Sequence, residues 1–336
     1  MNLIASAMIL FSVLVPTKGW YTPTQPIEIR VQANQPVRLI LITFSGKEMT
    51  PEGSNQINNE QSVDVKKMFP QIAEAGTYVL FAVPLGKPLA EFVGTPIVIE
   101  GRQAPRPMGN VPLHVYKVSP LSYINMQTDK GTIKALMWYD VAPQTVSNFF
   151  DLTAGSFFDG QTFHRIVPGF VIQGGDPTGT GFGGPGYIVQ AEFNDRTHDE
   201  GVLSMARSAD PLEGRGIAPR PEYANSAGSQ FFICLTREKC QALDRRYTAF
   251  GQVFDGLDTI KAIASVELAD PAAGKPKQPQ NINTVRIVPV TAKDNPYLTL
   301  LKIDVLHTPV STAPATTQPT TRLTTRPTTV RADSVE

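Results

Sequence analysis

The residues best placed to do chemistry lie in one stretch, residues 163–176, which reads FHRIVPGFVIQGGD. It sets Arg165, two phenylalanines (Phe163 and Phe170) and Gln173 around a short apolar run that ends at a Gly-Gly-Asp turn. Residues 162–171 alternate loosely in period two and are rich in aromatic and branched side chains, the pattern of a strand. Pro168-Gly169 interrupts it as a bend or bulge. Gly174-Gly175-Asp176-Pro177 closes it with turn residues. On a bent strand, Arg165, Phe170 and Gln173 face one shallow surface. A cation beside an apolar shelf is costly to bury unpaired, so the reading is a groove that holds an apolar group next to a fixed charge.

Other chemistry-bearing residues give weaker patterns. Gly179 to Gly184 fit GxGxxG, but Pro185-Gly186 follows where a helix would have to open and no βαβ unit surrounds it. The stretch reads instead as a Gly-rich loop flanking the groove. His164 stands beside Arg165 and is expected to be packed or backbone-bonded. His114, His198 and His307 are isolated and have no metal-ligand spacing. The two cysteines, Cys234 and Cys240, form no CxxC, and Cys234 lies in the apolar run FFICL, so it reads as a small buried hydrophobe. No G-x-S-x-G nucleophile elbow occurs. No metal or cofactor is called for.

The elements that position the groove follow from composition and punctuation. A chain of 336 residues is long enough for two domains. Thirty Lys and Arg balance thirty Asp and Glu, and no basic stripe stands out, which argues against nucleic acid as a partner. Residues 1–19 carry an apolar run from about Leu3 to Val15, too short to span a bilayer comfortably, and read as a signal peptide or uncleaved anchor. No later segment is a membrane-span candidate. Residues 20–102 contain β runs (IEIRV, VRLILITF, TYVLFAV, PIVIE) separated by Pro, Gly and Asn, the signature of a small sandwich-like domain. Residues 103–121 begin QAPRPMGNVP and are assigned as a Pro-rich linker. In residues 122–293, a hairpin at 126–138, a helix at 143–154 that starts on Pro143, several strands and a second helix at 258–265 predict a closed antiparallel barrel, because closure removes exposed edges. Residues 294–336 are assigned as a Thr/Pro-rich tail that buries too little apolar surface to fold.

FHRIVPGFVIQGGD, followed in order by GVLSMAR, NSAGSQFFI and LDRRYTAFGQVFDG, resembles the cyclophilin family of peptidyl-prolyl cis-trans isomerases. The resemblance covers about half of the chain. It implies a mainly β fold: an eight-stranded antiparallel barrel with two helices, here preceded by the small β domain. It also implies an activity that needs no nucleophile or metal. Rotation about an X-Pro bond is opposed by an amide-resonance barrier of about 18–20 kcal/mol, and a 10⁵-fold acceleration requires removing roughly 7 kcal/mol. Twisting localises the nitrogen lone pair, so a fixed guanidinium aimed at that nitrogen favours the twisted amide over the planar one. Arg165 matches the family's arginine for this role, and Gln173 the glutamine that steadies it.

Phe170, Phe232 and Leu243 match the apolar floor for the proline ring, with Val171 where the family often has methionine. Gln230 matches a polar wall residue, and Ala206 and Arg207 the strand edge that pairs with substrate backbone. Three departures stand out. Arg207 replaces a frequent asparagine and is expected to add a preference for acidic substrate positions. Ala242 replaces a frequent tryptophan that helps bind cyclosporin, so weak binding of that drug is expected. Tyr247 replaces a frequent histidine and still closes the pocket. An apparent insertion, about residues 212–224 (LEGRGIAPRPEYA), lies near the groove and either extends substrate contacts or is an inert loop. The function expected is proline isomerisation in proline-containing polypeptides that are exported (periplasmic, envelope or secreted). The alternatives are a module that holds proline peptides without turnover, and an N-terminal domain that recognises an envelope partner with the barrel as passenger.

Overall fold

The computed structural model describes residues 13–103, 114–213 and 218–303. The apolar runs of the first third become strands in two sheets. Strands β1 (Leu14–Pro16), β3 (Glu28–Val31) and β6 (Gln61–Asp64) make a three-stranded sheet in the order β1-β3-β6. Strands β2 (Trp20–Tyr21), β4 (Val37–Thr43), β5 (Gln56–Ile57), β7 (Gly76–Pro84), β8 (Val93–Gln103) and β9 (His114–Pro120) make a six-stranded sheet in the order β2-β9-β8-β7-β4-β5.

Strands β4 and β7 read VRLILIT and GTYVLFAVP with little polar alternation because their sheet is covered on both faces. Leu39, Leu41, Leu80 and Ala82 pack in one core with Ile29, Val31 and Phe69. Ile40, Ile42, Val79 and Phe81 belong to a second core, continuous with that of the following half of the chain. A period-two strand with both faces apolar is the expected response to a layer on each side.

Three boundaries differ from the sequence expectation. Of the expected leader, residues 1–12 lie outside the described residues, but Leu14–Pro16 pair with Val31, Arg30 and Ile29, and Leu14 is buried. Of the expected linker, residues 104–113 lie outside the described residues, whereas His114–Pro120 form β9 and pair along β8 from Gln103 to Ile97. The reason is packing: Tyr116 and Val118 fill the sandwich core. The expected tail is folded over its first ten residues. Tyr297, Leu301 and Ile303 are fully buried, and the Tyr297 hydroxyl donates to the Ser122 carbonyl at 2.7 Å and accepts from the Met137 amide at 2.8 Å. The Tyr297 ring lies 6.1 Å from that of Phe44, at the seam between the two halves of the chain. Residues 304–336 are outside the described residues.

The second half forms a barrel from β10 (Ser122–Thr128), β11 (Gly131–Met137), β12 (Gln161–Thr162), β13 (Arg165–Val167), β14 (Val171–Gly174), β15 (Val202–Met205), β16 (Phe231–Cys234), β17 (Ala249–Asp255) and β20 (Asn281–Pro289). The antiparallel order is β12-β20-β10-β11-β17-β15-β16-β14-β13. Only Phe163 and His164 separate β12 from β13, yet β12 pairs with β20 on one side while β13 pairs with β14 on the other. That kinked strand closes the sheet and, counted once, gives the eight strands expected. A small ribbon of β18 (Leu268–Asp270) and β19 (Lys275–Pro276) follows the helix Leu257–Ala264. The helix Pro143–Ala154 has Pro143 in its first turn, and its Gln144 and Thr145 amides are taken by the Glu192 carboxylate at 2.9 and 2.8 Å.

Charged groups meet at the seam beside this helix. Glu100 and Arg102 on β8 are buried, and Lys117 on β9 and Glu192 act on the same carboxyl. Arg102 Nη2 donates to Ser147 Oγ of the helix at 3.2 Å, and Lys117 Nζ donates to the same oxygen. Burial raises Glu100 to about 7, only partly offset by Arg102 and Lys117 and reinforced by Glu192. With its folded pKa above the unfolded value, the stability it contributes is full below about pH 4.5 and is lost as pH rises through about 7. Chemical unfolding at pH 5 and pH 8 should therefore show a loss of up to about 3 kcal/mol from this group. Glu100→Gln should flatten that difference, and an unchanged pH dependence in the variant would refute the assignment.

Candidate active site

The groove stands on the outer face of four adjacent barrel strands. Arg165 on β13 is directly opposite Gln173 on β14, Gln173 is opposite Phe232 on β16, and Phe232 is opposite Ser204 on β15. The next row, Ile166, Ile172, Ile233 and Leu203, points the other way and is buried inside the barrel. Pleating alternates the two rows, so one register delivers a polar and aromatic row outside and an aliphatic row within.

Pro168-Gly169 does not bulge a single strand; it turns it into a hairpin. The Phe170 amide donates to the Val167 carbonyl at 2.9 Å and Gly169 takes φ +73°, a β-turn with Pro first and a left-handed Gly second. Thr236 Oγ1 holds the Gly169 carbonyl at 2.7 Å, and the Leu235 amide and Cys240 Sγ hold the Phe170 carbonyl at 2.8 and 3.2 Å. The turn places Phe170 at the rim. At the other end of β14, Gly175 has φ +85°, and a Cβ there would come within 2.3 Å of the Ser229 carbonyl oxygen, so no larger residue fits this exit.

The resulting cleft has a volume of about 580 Å³ and is lined by Arg165, Phe170, Val171, Gln173, Ala206, Arg207, Phe232, Leu243 and Tyr247, together with His164, the Gly-rich loop, Ala209 and Lys275. Among the described residues, Arg165 joins no ion pair; its side-chain hydrogen bond runs from Nη1 to Gln173 Oε1 at 3.3 Å. The remaining N–H donors and the positive charge are left for a ligand. Gln173 Nε2 in turn donates to Gln230 Oε1 at 2.9 Å. Gln230 Nε2 donates to the carbonyls of Gly181 and Gly183 at 3.0 and 2.8 Å. A polar relay thus runs from the cation to the Gly-rich loop. Gln230, nominated as a wall residue, is itself a link in this relay and lines the adjoining cavity, which shares Gln173, Gly181, Ala206 and Arg207 with the cleft.

The loop is fixed from beneath by Asp176. Its Oδ1 accepts from the Thr178 amide at 2.7 Å and its Oδ2 from the Gly181 amide at 2.6 Å. Burial raises the carboxyl, but these amides, the Gly183 amide and the Thr178 hydroxyl together hold it down at about 2. The apolar floor is Phe232, whose ring lies 5.7 Å from that of Tyr247 in an edge-on arrangement. Leu243 and Phe170 flank it, and Val171 is buried at its back. The Ala206 amide is taken by the Gln230 carbonyl at 2.9 Å. Ala242 is exposed and lies outside the cleft lining.

The expectation for Arg207 is overturned. Its side chain is only 2% exposed. The guanidinium donates to Glu213 Oε1 at 2.5 Å, to the Arg246 carbonyl at 3.0 Å and to the Ser208 carbonyl at 2.9 Å, and it stacks over the Tyr247 ring at 4.2 Å. Glu213 comes from the apparent insertion, so the charge that was to meet acidic substrates is already matched by this chain.

His164 is packed in the cleft lining, with neither ring nitrogen hydrogen-bonded, and burial lowers its pKa. Burial thus favours its neutral form. His198 is not isolated. It is fully buried, with Nδ1 3.0 Å from Asp244 Oδ1 and Nε2 2.9 Å from Ser204 Oγ, and its ring lies 6.2 Å from that of Phe232 and nearly parallel to it. Asp244 also receives Arg237 at 2.9 and 2.6 Å. This support behind the floor went unread in the sequence; the only hint was that Asp244 directly follows Leu243. Cys234 and Cys240 are both buried free thiols. His307 lies outside the described residues. Among the described residues, no group of three or more His, Cys, Asp or Glu could hold a metal ion.

Known proteins resemble the barrel half of this chain in sequence. The family model described as cyclophilin type peptidyl-prolyl cis-trans isomerase/CLD matches residues 123–287. A peptidyl-prolyl cis-trans isomerase of Synechococcus elongatus is 44% identical over 145 residues, covering 43% of this chain and 88% of that protein. Peptidyl-prolyl cis-trans isomerase B of Bacillus subtilis is 40% identical over 139 residues, covering 41% of this chain and 86% of that protein. A solved Cryptosporidium parvum cyclophilin type peptidyl-prolyl cis-trans isomerase, crystallised in the presence of the dipeptide Ala-Pro, is 29% identical with a TM-score of 0.43, covering 50% of this chain and 99% of that chain. With a barrel closed by one kinked strand, a cation and aromatic floor in register on its outer face, and close relatives matched over nearly their whole length, the chain belongs to the cyclophilin-type peptidyl-prolyl cis-trans isomerases.

Proposed function

We propose that Arg165 is the electrostatic catalyst of the isomerase and that Gln173 sets its aim. The observation that carries this reading is the row Arg165–Gln173–Phe232, which sets a guanidinium that joins no ion pair among the described residues in one cleft with an aromatic floor. The proline ring of a polypeptide substrate settles on Phe232, Phe170 and Leu243. The arginine then faces the imide nitrogen, whose lone pair localises as the bond twists. Its interaction strengthens only in the twisted state, so it lowers the barrier without tightening ground-state binding equally. No proton moves, which accords with a His164 whose neutral form burial favours.

A protease-coupled isomerisation assay on an Ala-Pro peptide tests this assignment. Arg165→Ala should lower kcat/KM by about 10²–10³-fold, the usual effect of removing one preorganised donor, while circular dichroism stays unchanged. Wild type that binds the peptide without accelerating the slow phase would make the groove a recognition site instead.

The same groove should bind cyclosporin weakly, because the exposed Ala242 offers no aromatic surface or indole N–H beside the floor. Ala242→Trp should increase inhibition at least about tenfold, a gain of roughly 1.4 kcal/mol. Equal inhibition of the two proteins would place the difference elsewhere.

We further propose that the enzyme acts on extended segments of exported proteins, a reading supported by the apolar run that begins at Leu3. Because β1 starts at Leu14 and is built into a sheet, removal of a leader up to Gly19 would strip a strand from the fold. A processed form should therefore begin at or before Val13. Cell fractionation with mass spectrometry of the mature N-terminus checks both statements: a cytosolic protein would sink the export proposal, and a cut after Gly19 would sink the retention of β1.

A further inference from the structure

Residues 207–213 and Arg220 carry a charge arrangement that the isomerase mechanism does not use. Its neck is tied by Asp210, which is buried and accepts from Arg220 Nη2 at 3.0 Å through Oδ1 and from Arg220 Nε and the Arg220 amide at 3.0 and 2.9 Å through Oδ2. Just inside that neck stands Glu213. Its side chain is 13% exposed, and its carboxylate meets two arginines, Arg207 Nη2 at 2.5 Å and Arg246 Nη1 at 3.7 Å. Arg246 Nη1 also donates to the Glu213 carbonyl at 3.3 Å. Arg207 lies flat on Tyr247, and both line the proline cleft.

The charged side chains lining that cleft are Arg165, Arg207 and Lys275, and no carboxylate is among the lining residues. A cleft of this kind would favour acidic peptides through its field alone. Glu213 sits directly behind the lining and shares one negative charge between two of the cations that act on Tyr247. From this geometry we infer that Glu213 is a specificity-determining residue: by neutralising Arg207 it keeps the groove open to neutral residues beside the proline rather than selective for acidic ones. Glu213 thereby sets substrate charge preference from behind the cleft, whose lining does not include it. The inference rests on the proline-peptide groove proposed above, and its test separates the two.

The experiment compares wild type, Glu213→Gln and the double variant Arg207→Gln/Glu213→Gln on peptides carrying Ala, Glu or Lys at either of the two positions preceding proline. The quantity read is the ratio of kcat/KM, or of Kd if a peptide binds without turnover, for Glu over Ala and for Lys over Ala. In Glu213→Gln, which keeps the shape and an acceptor, the Glu/Ala ratio should rise about threefold or more over wild type at one of the positions while Lys/Ala falls. The gain should shrink in 0.5 M salt and be lost in the double variant. A purely structural role for Glu213 moves all three peptides together and leaves the ratios constant; that result would overturn the inference while leaving the isomerase mechanism intact. Failure of wild type to bind or turn over any of the peptides would overturn both.

Discussion

Everything the groove does depends on the register of four strands. Because side chains alternate across a pleated sheet, placing Arg165 opposite Gln173 and Gln173 opposite Phe232 also places Ile166, Ile172 and Ile233 in the barrel core. A slip of one residue would bury the guanidinium and expose three isoleucines. The cost of that slip, several kcal/mol of lost apolar burial plus an unpaired buried charge, is what pins the cation in place. The aliphatic interior is thus the positioning device for the polar exterior.

The supports behind the row follow the same logic of satisfied polar groups. Arg165 is held by Gln173, Gln173 by Gln230, and Gln230 by two loop carbonyls, and the loop itself is fixed by Asp176. Under the floor, His198 bridges Asp244 and Ser204 against the ring of Phe232. Each link restricts a rotamer of the next, which is how a site on a surface gains rigidity.

The N-terminal sheets are joined to the barrel by more than a covalent connection. Their six-stranded sheet has one face in the sandwich and the other in a core continuous with the barrel. The segment ending at Ile303 closes that junction through Tyr297, which hydrogen-bonds both Ser122 and Met137. Leaving those two backbone groups unpaired in the interior would cost about 1–3 kcal/mol each. The first strand, the ninth strand and this segment are therefore parts of one folded body, although their sequences resemble a leader, a linker and a tail.

The sequence by itself determined the β character, the barrel, the isomerase family and which residue types line the groove. These are written locally: in period-two runs, in a Pro-Gly turn, and in an arginine, aromatic residues and a glutamine at fixed short spacings. What only the tertiary structure decided depends on partners far apart in the chain. His198 reads as an isolated histidine until folding brings Asp244, 46 residues on, to its ring. Tyr297 reads as the start of a tail until it meets Ser122, 175 residues away. Arg207 reads as a free cation until Glu213 is folded back onto it. A side chain's type and its neighbours in sequence specify what it can do, but the charge it presents and the strength with which it is held are set by burial and by the groups brought against it, and those exist only once the chain has closed.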